Sequence, residues 1–321
     1  METVVRPLTV VAHDAGAANH IFAWLSNERP TVCLAGPAQA LWQAHIQKTA
    51  RLPDSRLGLP LERDSEQPFL LESALVAALA DAATVITGTG WESNLEHDAR
   101  KLARERGIHS IAVIDHWTNY ADRFVRNGET VLPDEIWVSD SYAADIARLN
   151  FPTVSVVQQD NVYLSGLVAE VESRQLPAAK HGNDRVLYVL EPIRHIWGEL
   201  AEPGEFLALD YFMAQRHRAQ VSVDAEIRLR PHPSEPIGKY DAWLARRGDP
   251  RVSLDQSASL ADALAWSNIV AGCQTYAMVL ALACGRKVLS TIPAWAPPCA
   301  LPHQGIEKIA QLDPSGSFAF D

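Results

Sequence analysis

The chain has 321 residues, which suits two ordinary domains and is too long for one hydrophobic core of usual size. Its 47% hydrophobic and 21% charged residues are typical of a soluble globular protein. A formal charge of −11 argues against a protein whose main task is to grip nucleic acid, although a local basic pocket for one anionic small molecule remains compatible with it.

The cysteines and the apolar runs indicate the cellular compartment in which the protein is expected. The four cysteines form no CxxC pair, which argues against a zinc ribbon or a thioredoxin-like motif. The N-terminus lacks the long apolar region of a signal peptide, and no apolar run reaches the ~18 residues that a membrane helix needs. We therefore expect a cytoplasmic protein.

The first half of the chain alternates short β-rich runs with helical stretches. The helical stretch 92–107 ends at Gly107, a residue type typical of a helix C-cap, and another helix is predicted at 73–82. The predicted strands are 8–13, 31–36, 84–90, 110–117, 135–140 and 153–160. This alternation predicts a parallel sheet with helices on both faces.

The same pattern restarts after a polar segment without periodicity at 173–184, which we interpret as a linker. The sequence therefore predicts an α/β protein with two tandem Rossmann-like domains, 1–172 and 185–321, facing a central cleft. The second set of predicted strands is 185–192, 225–233, 251–256, 267–273 and 287–293, and the second set of helices is 204–220, 239–248, 259–267 and 275–285.

The first stretch that could carry chemistry is "AHDAGAANHI", residues 12–21. A strand ends at His13, and a loop of small residues around Gly16 leads into a helix, where a ligand could approach backbone amides. Asp14 is placed to act as a general base. It could equally be only the N-cap of the helix.

The second stretch is "TGTGWESNLE", residues 87–96. Its glycines, including Gly90, follow a strand and precede a helix, which is typical of a loop that cradles an anion or lies under a sugar. Glu92 is a candidate cleft residue or a helix cap. Trp91 would be a stacking platform or a core residue.

The third stretch is "IDHWTNYADRF", residues 114–124, at the end of another strand. Asp115, His116 and Trp117 open a run of polar and aromatic side chains. A strand end that is only structural rarely needs so many hydrogen-bonding groups, so we predict a second candidate base and further cleft residues here. The alternative is a hydrogen-bonded loop that supports the domain interface.

The fourth stretch is "RLRPHPSEP", residues 228–236. Proline ends the strand and, through Pro233, restricts the backbone of His232 to an extended conformation. Ligands of open α/β sheets bind at such strand ends. Arg230 and His232 could both contact an anionic ligand.

A partner stretch is "SNIVAGCQTYAMVLALACG", residues 267–285, where a buried strand leads into an apolar helix. Thr275 is predicted as the N-cap, Gly272 would let a ligand lie close, and free amides at the helix start would hold a phosphate. Glu191, at the end of the strand "RVLYVLEP", could accept hydrogen bonds from ribose or sugar hydroxyls, or could be a solvated carboxylate.

This layout resembles that of GT-B glycosyltransferases, and the stretches 228–236 and 267–285 resemble bacterial capsule and lipopolysaccharide transferases of the sialyltransferase-like type. The resemblance implies two Rossmann-like domains, with a nucleotide-sugar donor held by the C-terminal one. It implies that His232, Pro233 and Thr275 contact the nucleotide phosphate. The chain departs from that pattern at Cys273-Gln274-Thr275, where those enzymes often have two hydroxyl residues, and it lacks their "DDG" segment.

The resemblance implies a transferase that moves a sugar, with a CMP-activated sugar among the candidate donors, to a glycan or lipid-linked acceptor beside a membrane. Asp14 or Asp115 would be the base, and the sequence does not choose between them. Arg230, His232 and the helix at Thr275 would stabilise the leaving phosphate without a metal ion or a cofactor.

Two alternatives remain open at this stage. A nucleotide-sugar epimerase or hydrolase on the same fold would use the same carboxylates without an acceptor. A non-catalytic two-domain binding protein would close on a small ligand but would need no base.

Overall fold

The computed structural model describes residues 6–49, 68–174, 184–197 and 202–312, and the chain divides into two compact units, Met1–Tyr163 and Leu164–Asp321. The predicted first domain, 1–172, ends nine residues beyond this division, because the helix Val162–Glu172 runs across it. Most of the predicted linker 173–184 lies outside the described residues.

The N-terminal unit is built on a six-stranded parallel sheet. Its strands are short and β-branched, and their residues are almost entirely buried except in the last strand, as expected for strands covered by helices on both faces. The elements are β1 (Leu8–Ala12), α1 (Ala15–Trp24), β2 (Thr31–Leu34), α2 (Gly36–Thr49), α3 (Pro68–Ala78), β3 (Thr84–Thr87), α4 (Leu95–Arg106), β4 (His109–Val113), the two-residue strands β5 (Val125–Arg126) and β6 (Glu129–Thr130), β7 (Glu135–Val138), α5 (Ser141–Asn150), β8 (Ser155–Gln158) and α6 (Val162–Glu172).

The strand order in this sheet is β2-β1-β3-β4-β7-β8, all parallel. The chain runs from β1 to β2 on one side and then to β3 on the other, so the order reverses between β1 and β3. Helix α4 ends at Gly107, which adopts the left-handed conformation (φ 67°), and this confirms the predicted C-cap.

The C-terminal unit has a second six-stranded parallel sheet. Its elements are β9 (Arg185–Val189), α7 (Gly204–Gln215), β10 (Glu226–Arg230), α8 (Asp241–Arg247), β11 (Val252–Leu254), α9 (Leu260–Trp266), β12 (Ile269–Gly272), α10 (Tyr276–Ala283), β13 (Lys287–Ser290), β14 (Ile306–Lys308) and α11 (Ile309–Leu312). The order β11-β10-β9-β12-β13-β14 is the 3-2-1-4-5-6 order of the Rossmann fold. The predicted fold class is therefore confirmed.

The core of each unit lies between its sheet and its helices. In the N-terminal unit, Val10, Ile86 and Ile111 from three adjacent strands share one cluster with residues of α1. In the C-terminal unit, Tyr188 and Leu229 pack with Phe212 of α7. The buried strand residues are mostly apolar, with a few threonine, serine and glutamate exceptions, and the loops at the strand ends carry the predicted site residues.

Candidate functional site

The N-terminal unit brings its predicted residues to one edge of the sheet. The carboxyl ends of β1, β3 and β4 meet there, beside the point where the strand order reverses, which is the usual ligand position in open α/β sheets. The loops that leave these strands carry His13, Asp14, Gly90, Glu92, Asp115, His116 and Trp117.

Asp14 occupies the N-cap position of α1, but its side chain makes no cap hydrogen bond. Its carboxylate lies 2.6 Å from Nδ1 of His13 instead. It also packs against the α-carbon of Gly90, where an added Cβ would lie 3.0 Å from the Asp14 Cβ and closer still to the carboxylate. The capping role does not account for this carboxylate, and its role as a base stays a prediction.

Asp115 is held from two sides. Nη1 of Arg123 donates to its Oδ1 at 3.3 Å, and Arg123 is itself only 6% exposed. Its other face packs against Gly16 in the first turn of α1, where an added Cβ would lie 2.7 Å from the Asp115 Cγ. The absence of a side chain at Gly16 therefore leaves room for this carboxylate.

A buried carboxylate that the sequence patterns did not single out joins the first two loops. Glu96 is 1% exposed, and its two oxygens accept the backbone amides of His13, at 2.9 Å, and Gly90, at 2.6 Å. Burial raises the pKa of Glu96, while those amides and the nearby Arg100 oppose the shift. Glu96 thus ties the loop after β1 to the loop after β3.

Arg100, one helical turn after Glu96, is also fully buried. Its Nη1 donates to Thr87 Oγ1 at 3.0 Å and to the carbonyl of Gly88 at 2.8 Å. Burial lowers the pKa of Arg100 to about 10, and Glu96 opposes that shift. The i, i+4 spacing of an acid and a base on a helix that follows a glycine-rich loop is the sequence signal that could have found this pair.

The remaining predicted residues of this edge differ in their surroundings. Nδ1 of His116 lies 3.0 Å from Thr118 Oγ1, and burial lowers the pKa of His116 although Asp115 opposes it. Trp117 is 6% exposed and donates through Nε1 to Asp140 at 3.0 Å, so it supports the loop from within. Glu92 is exposed. That these three residues contact a ligand in the cleft stays a prediction.

In the C-terminal unit, the strand order reverses between β9 and β12, and Glu191 and Gln274 lie just beyond the ends of these strands. Oε2 of Glu191 accepts the backbone N–H of Gln274 at 3.0 Å. Burial raises the pKa of Glu191, and this amide opposes the shift. The Glu191 side chain is therefore a fixed, half-buried acceptor at the switch point and is not a freely solvated carboxylate.

Helix α10 begins directly after this contact, with Thr275 at its N-cap in an extended conformation and no side-chain cap hydrogen bond. Oε1 of Gln274 accepts the backbone N–H of Ala300 at 2.9 Å and so anchors the proline-rich loop. Gly272 has a packing constraint of its own, because an added Cβ would lie 2.8 Å from the carbonyl oxygen of Val189. Close packing of β12 on β9 therefore accounts for this glycine, and its role beside a ligand stays a prediction.

The HP segment follows β10, which ends at Arg230 immediately before the first proline. Nδ1 of the exposed His232 accepts the backbone N–H of Ser234 at 3.2 Å. Nδ1 also lies 2.8 Å from the Ser234 hydroxyl, so Ser234 occupies this nitrogen and Nε2 is the ring nitrogen that a ligand could contact. Pro233 is exposed beside it.

Arg230 is engaged by the protein. Its Nη1 donates to the fully buried carboxylate of Asp255 and lies 3.4 Å from the Ser257 carbonyl. This pairing fixes the loop after β11, and a contact of Arg230 with a ligand stays a prediction.

A buried ionic cluster supports the HP segment. The carboxylate of Glu235 is 1% exposed and accepts Arg194 at 2.9 Å and Lys239, which also pairs with Glu205. Burial alone would raise the pKa of Glu235, but Lys239 and Arg194 outweigh it and lower the pKa. The loop that carries His232 is thus held by ion pairs on its inner side.

Within the described ranges, no group of three or more His, Cys, Asp or Glu side chains is arranged to hold a metal ion. In the same part of the chain, no helix combines the length and the apolar character that crossing a membrane requires.

No protein-family model matches the sequence, and no curated protein matches it. Solved structures do share its fold. Staphylococcus aureus MnaA, in a structure with UDP, has a TM-score of 0.58 at 14% identity, covering 88% of this chain and 78% of that one. UDP-GlcNAc 2-epimerase from Neisseria meningitidis, bound to UDP-GlcNAc, has a TM-score of 0.58 at 11% identity, covering 88% and 82%.

A third structure, described as a UDP-N-acetylglucosamine 2-epimerase from Listeria monocytogenes, has a TM-score of 0.57 at 15% identity and covers 88% of this chain and 78% of that one. At these identities the likeness establishes the GT-B-like fold alone. It does not bear on the sialyltransferase-like part of the resemblance, which stays a prediction.

Proposed function

We propose that this chain is an enzyme that acts on a nucleotide-sugar, and that it transfers the sugar to a glycan or lipid-linked acceptor. The observation that carries the proposal is the contact between Glu191 and the Gln274 amide at the switch point of the C-terminal sheet. It places an oriented acceptor next to the N-terminus of helix α10, whose N-cap side chain makes no cap hydrogen bond. Ribose hydroxyls suit the acceptor, and a phosphate suits a helix N-terminus.

The phosphate would lie between the start of α10 and His232. The N–H at His232 Nε2 would donate to a phosphate oxygen, and the helix dipole would favour the negative charge that grows as the nucleotide leaves. Two fold relatives were solved with UDP or UDP-GlcNAc, which supports a uridine nucleotide as the first ligand to test. The nucleotide-sugar is the substrate here, and the proposal invokes no separate cofactor or metal.

The acceptor chemistry would belong to the N-terminal unit. An acceptor hydroxyl oxygen would form a bond to the anomeric carbon as the bond from that carbon to the phosphate oxygen breaks. The hydroxyl proton would pass to Asp14 or Asp115, and the nucleotide would leave as an anion. The orientation of both carboxylates, by His13 and by Arg123 respectively, supports a role in proton transfer.

An epimerase or hydrolase of nucleotide-sugars is the second candidate. The presence of two oriented carboxylates on one sheet edge favours it, because one group could remove a proton from the sugar carbon and the other could return a proton to the opposite face. The structures described as UDP-GlcNAc 2-epimerases support this candidate about as well as the fold supports transfer.

Product analysis separates the two candidates. The purified chain is incubated with UDP-, GDP-, ADP-, CDP- and CMP-activated sugars, with and without a pooled glycan acceptor, and the products are followed by NMR. A transferase forms a new glycosidic bond only when acceptor is present. An epimerase changes a sugar carbon without acceptor, and a hydrolase releases free sugar. If none of these nucleotide-sugars is altered, the proposed function is wrong.

A further inference from the structure

Arg123 is a buried cation at the carboxyl edge of the N-terminal sheet. It follows Asp115 by eight residues and lies in a single helical turn, Asp122–Phe124. Its Nε donates to the carbonyl of Thr118 at 3.0 Å, and its Nη1 donates to Thr89 Oγ1 at 3.2 Å and to Asp115 Oδ1 at 3.3 Å. One buried guanidinium therefore joins the loop after β3 to the loop after β4.

The groups around Arg123 fix the direction of its hydrogen bond to Asp115. The ring of Trp91, 46% exposed, lies with its centroid 5.2 Å from the Arg123 guanidinium carbon and so packs on the cation. A planar guanidinium anchored at Nε can present Nη1 in one direction only, which a lysine ammonium cannot do. Gly16 limits the Asp115 carboxylate on its other side. The carboxylate is consequently held between the Arg123 guanidinium and the first turn of α1.

We propose that Arg123 is the positioning residue that orients the Asp115 carboxylate for proton transfer. This inference rests on the proposed function, because it gives Asp115 a reaction in which to act. Arg123 itself need not touch the substrate. A misplacement of about 1 Å at a reacting group can cost about 100-fold in rate, so the loss of this anchor should reduce turnover far more than it reduces substrate binding.

The test is a kinetic double-mutant cycle. Arg123→Gln, Asp115→Asn and the double variant are assayed for nucleotide release from the panel of nucleotide-sugars described above. Arg123→Gln should lower kcat about 100-fold and change KM less than about threefold. The double variant should be no slower than Asp115→Asn alone, because an orienting residue has nothing left to orient.

Two further variants keep the test decisive. Arg148→Gln removes the exposed arginine that pairs with Asp145 at 3.3 Å on α5, and it should leave kcat unchanged. Arg123→Lys keeps the charge but not the planar anchor, and it takes the place of Arg123→Gln in the cycle if that variant does not fold. It should also lose most of kcat, since its ammonium cannot reproduce the direction of Nη1.

The inference is overturned if the two kcat losses multiply, or if Arg123→Gln raises KM with kcat intact, which would make it a substrate-binding residue. It is also overturned if the kcat of Asp115→Asn equals that of the wild type. In that case the proposed function still stands, because the nucleotide-sugar is turned over with Asp14 as the base. If the wild type alters no member of the panel, the proposed function fails first and the inference fails with it.

Discussion

Substituting Gly16 by alanine tests whether the Asp115 carboxylate takes part in the reaction. The new Cβ would lie 2.7 Å from the Asp115 Cγ and closer still to Oδ2, whereas carbon atoms in contact prefer about 3.5 Å or more, so the carboxylate must move by at least about 1 Å. Because the carboxylate is partly exposed, it can turn away, and we expect a loss of stability of no more than about 2 kcal/mol. Nucleotide release should fall about 100-fold.

The matched control is Gly166→Ala in helix α6, where an added Cβ meets no atom within 4 Å. This variant should keep its activity and gain up to about 1 kcal/mol, since alanine is the better helix former. Both proteins are compared by steady-state kinetics and by urea unfolding. Wild-type kcat in Gly16→Ala, with the fold intact, would refute the assignment of a catalytic role to Asp115.

Three other predictions concern the buried groups of the two units. Glu96→Gln should cost about 1–3 kcal/mol in urea unfolding, because an amide can accept only one of the two backbone N–H groups that Glu96 accepts. The exposed Glu92→Gln should change stability by less than about 0.5 kcal/mol, and equal losses in the two variants would contradict the role of Glu96 in tying the two loops together. Burial and then Arg100 lower the pKa of His97 to about 4, so between about pH 6.5 and 4 the unfolded chain binds a proton that the folded protein does not. The free energy of unfolding should therefore decrease as the pH is lowered through that window, and more steeply in the wild type than in His97→Gln, as followed by chemical unfolding at each pH. Burial raises the pKa of Cys33 to about 11 and that of Cys273 well above its usual value, so both thiols should resist an aromatic disulfide reagent at pH 8 until the protein is unfolded. Because Cys284 and Cys299 are only partly buried, the labelled positions are located by peptide mass spectrometry, and rapid labelling of Cys33 or Cys273 in the native protein would contradict their burial.

The strands were predictable because they are short, β-branched and bounded by proline, glycine or polar residues. Every predicted strand overlaps an observed one, but the observed strands end earlier. The run 84–90 shows why, since β3 ends at Thr87 and the following glycines leave the sheet to form the loop held by Glu96. Similarly, β10 ends at Arg230, as the following proline requires.

The helices were harder to predict where a hydrophobic pattern was weak or absent. No pattern assigned α2 (Gly36–Thr49) or α6 (Val162–Glu172), and the latter carries the chain across the division between the units. Strand β14, just after the proline-rich loop, is only three residues long and was not expected. Its pairing with β13 is a tertiary contact that local sequence does not encode.

The candidate site was predictable at the level of strand ends and not at the level of partners. Asp14, Asp115, Glu191 and His232 lie just beyond strand ends because ionisable side chains are costly to bury on the strands of a covered sheet. Their partners come from elsewhere in the chain, as Gln274 reaches Glu191 across 83 positions. Only the folded sheet order brings such residues together.

The measurement that tests the account most directly is nucleotide binding to the wild type and to His232→Ala. Thermal unfolding is followed with UDP, CMP, CDP, GDP and ADP, and His217→Ala, an exposed histidine after α7 in the same unit, is the control. One nucleotide at about 100 times its Kd should stabilise the wild type and the control by about 2.7 kcal/mol, and His232→Ala should lose most of that shift. If no nucleotide changes the unfolding temperature of the wild type, or if His232→Ala responds as fully as the control, the C-terminal sheet edge does not hold a nucleotide phosphate in the way described.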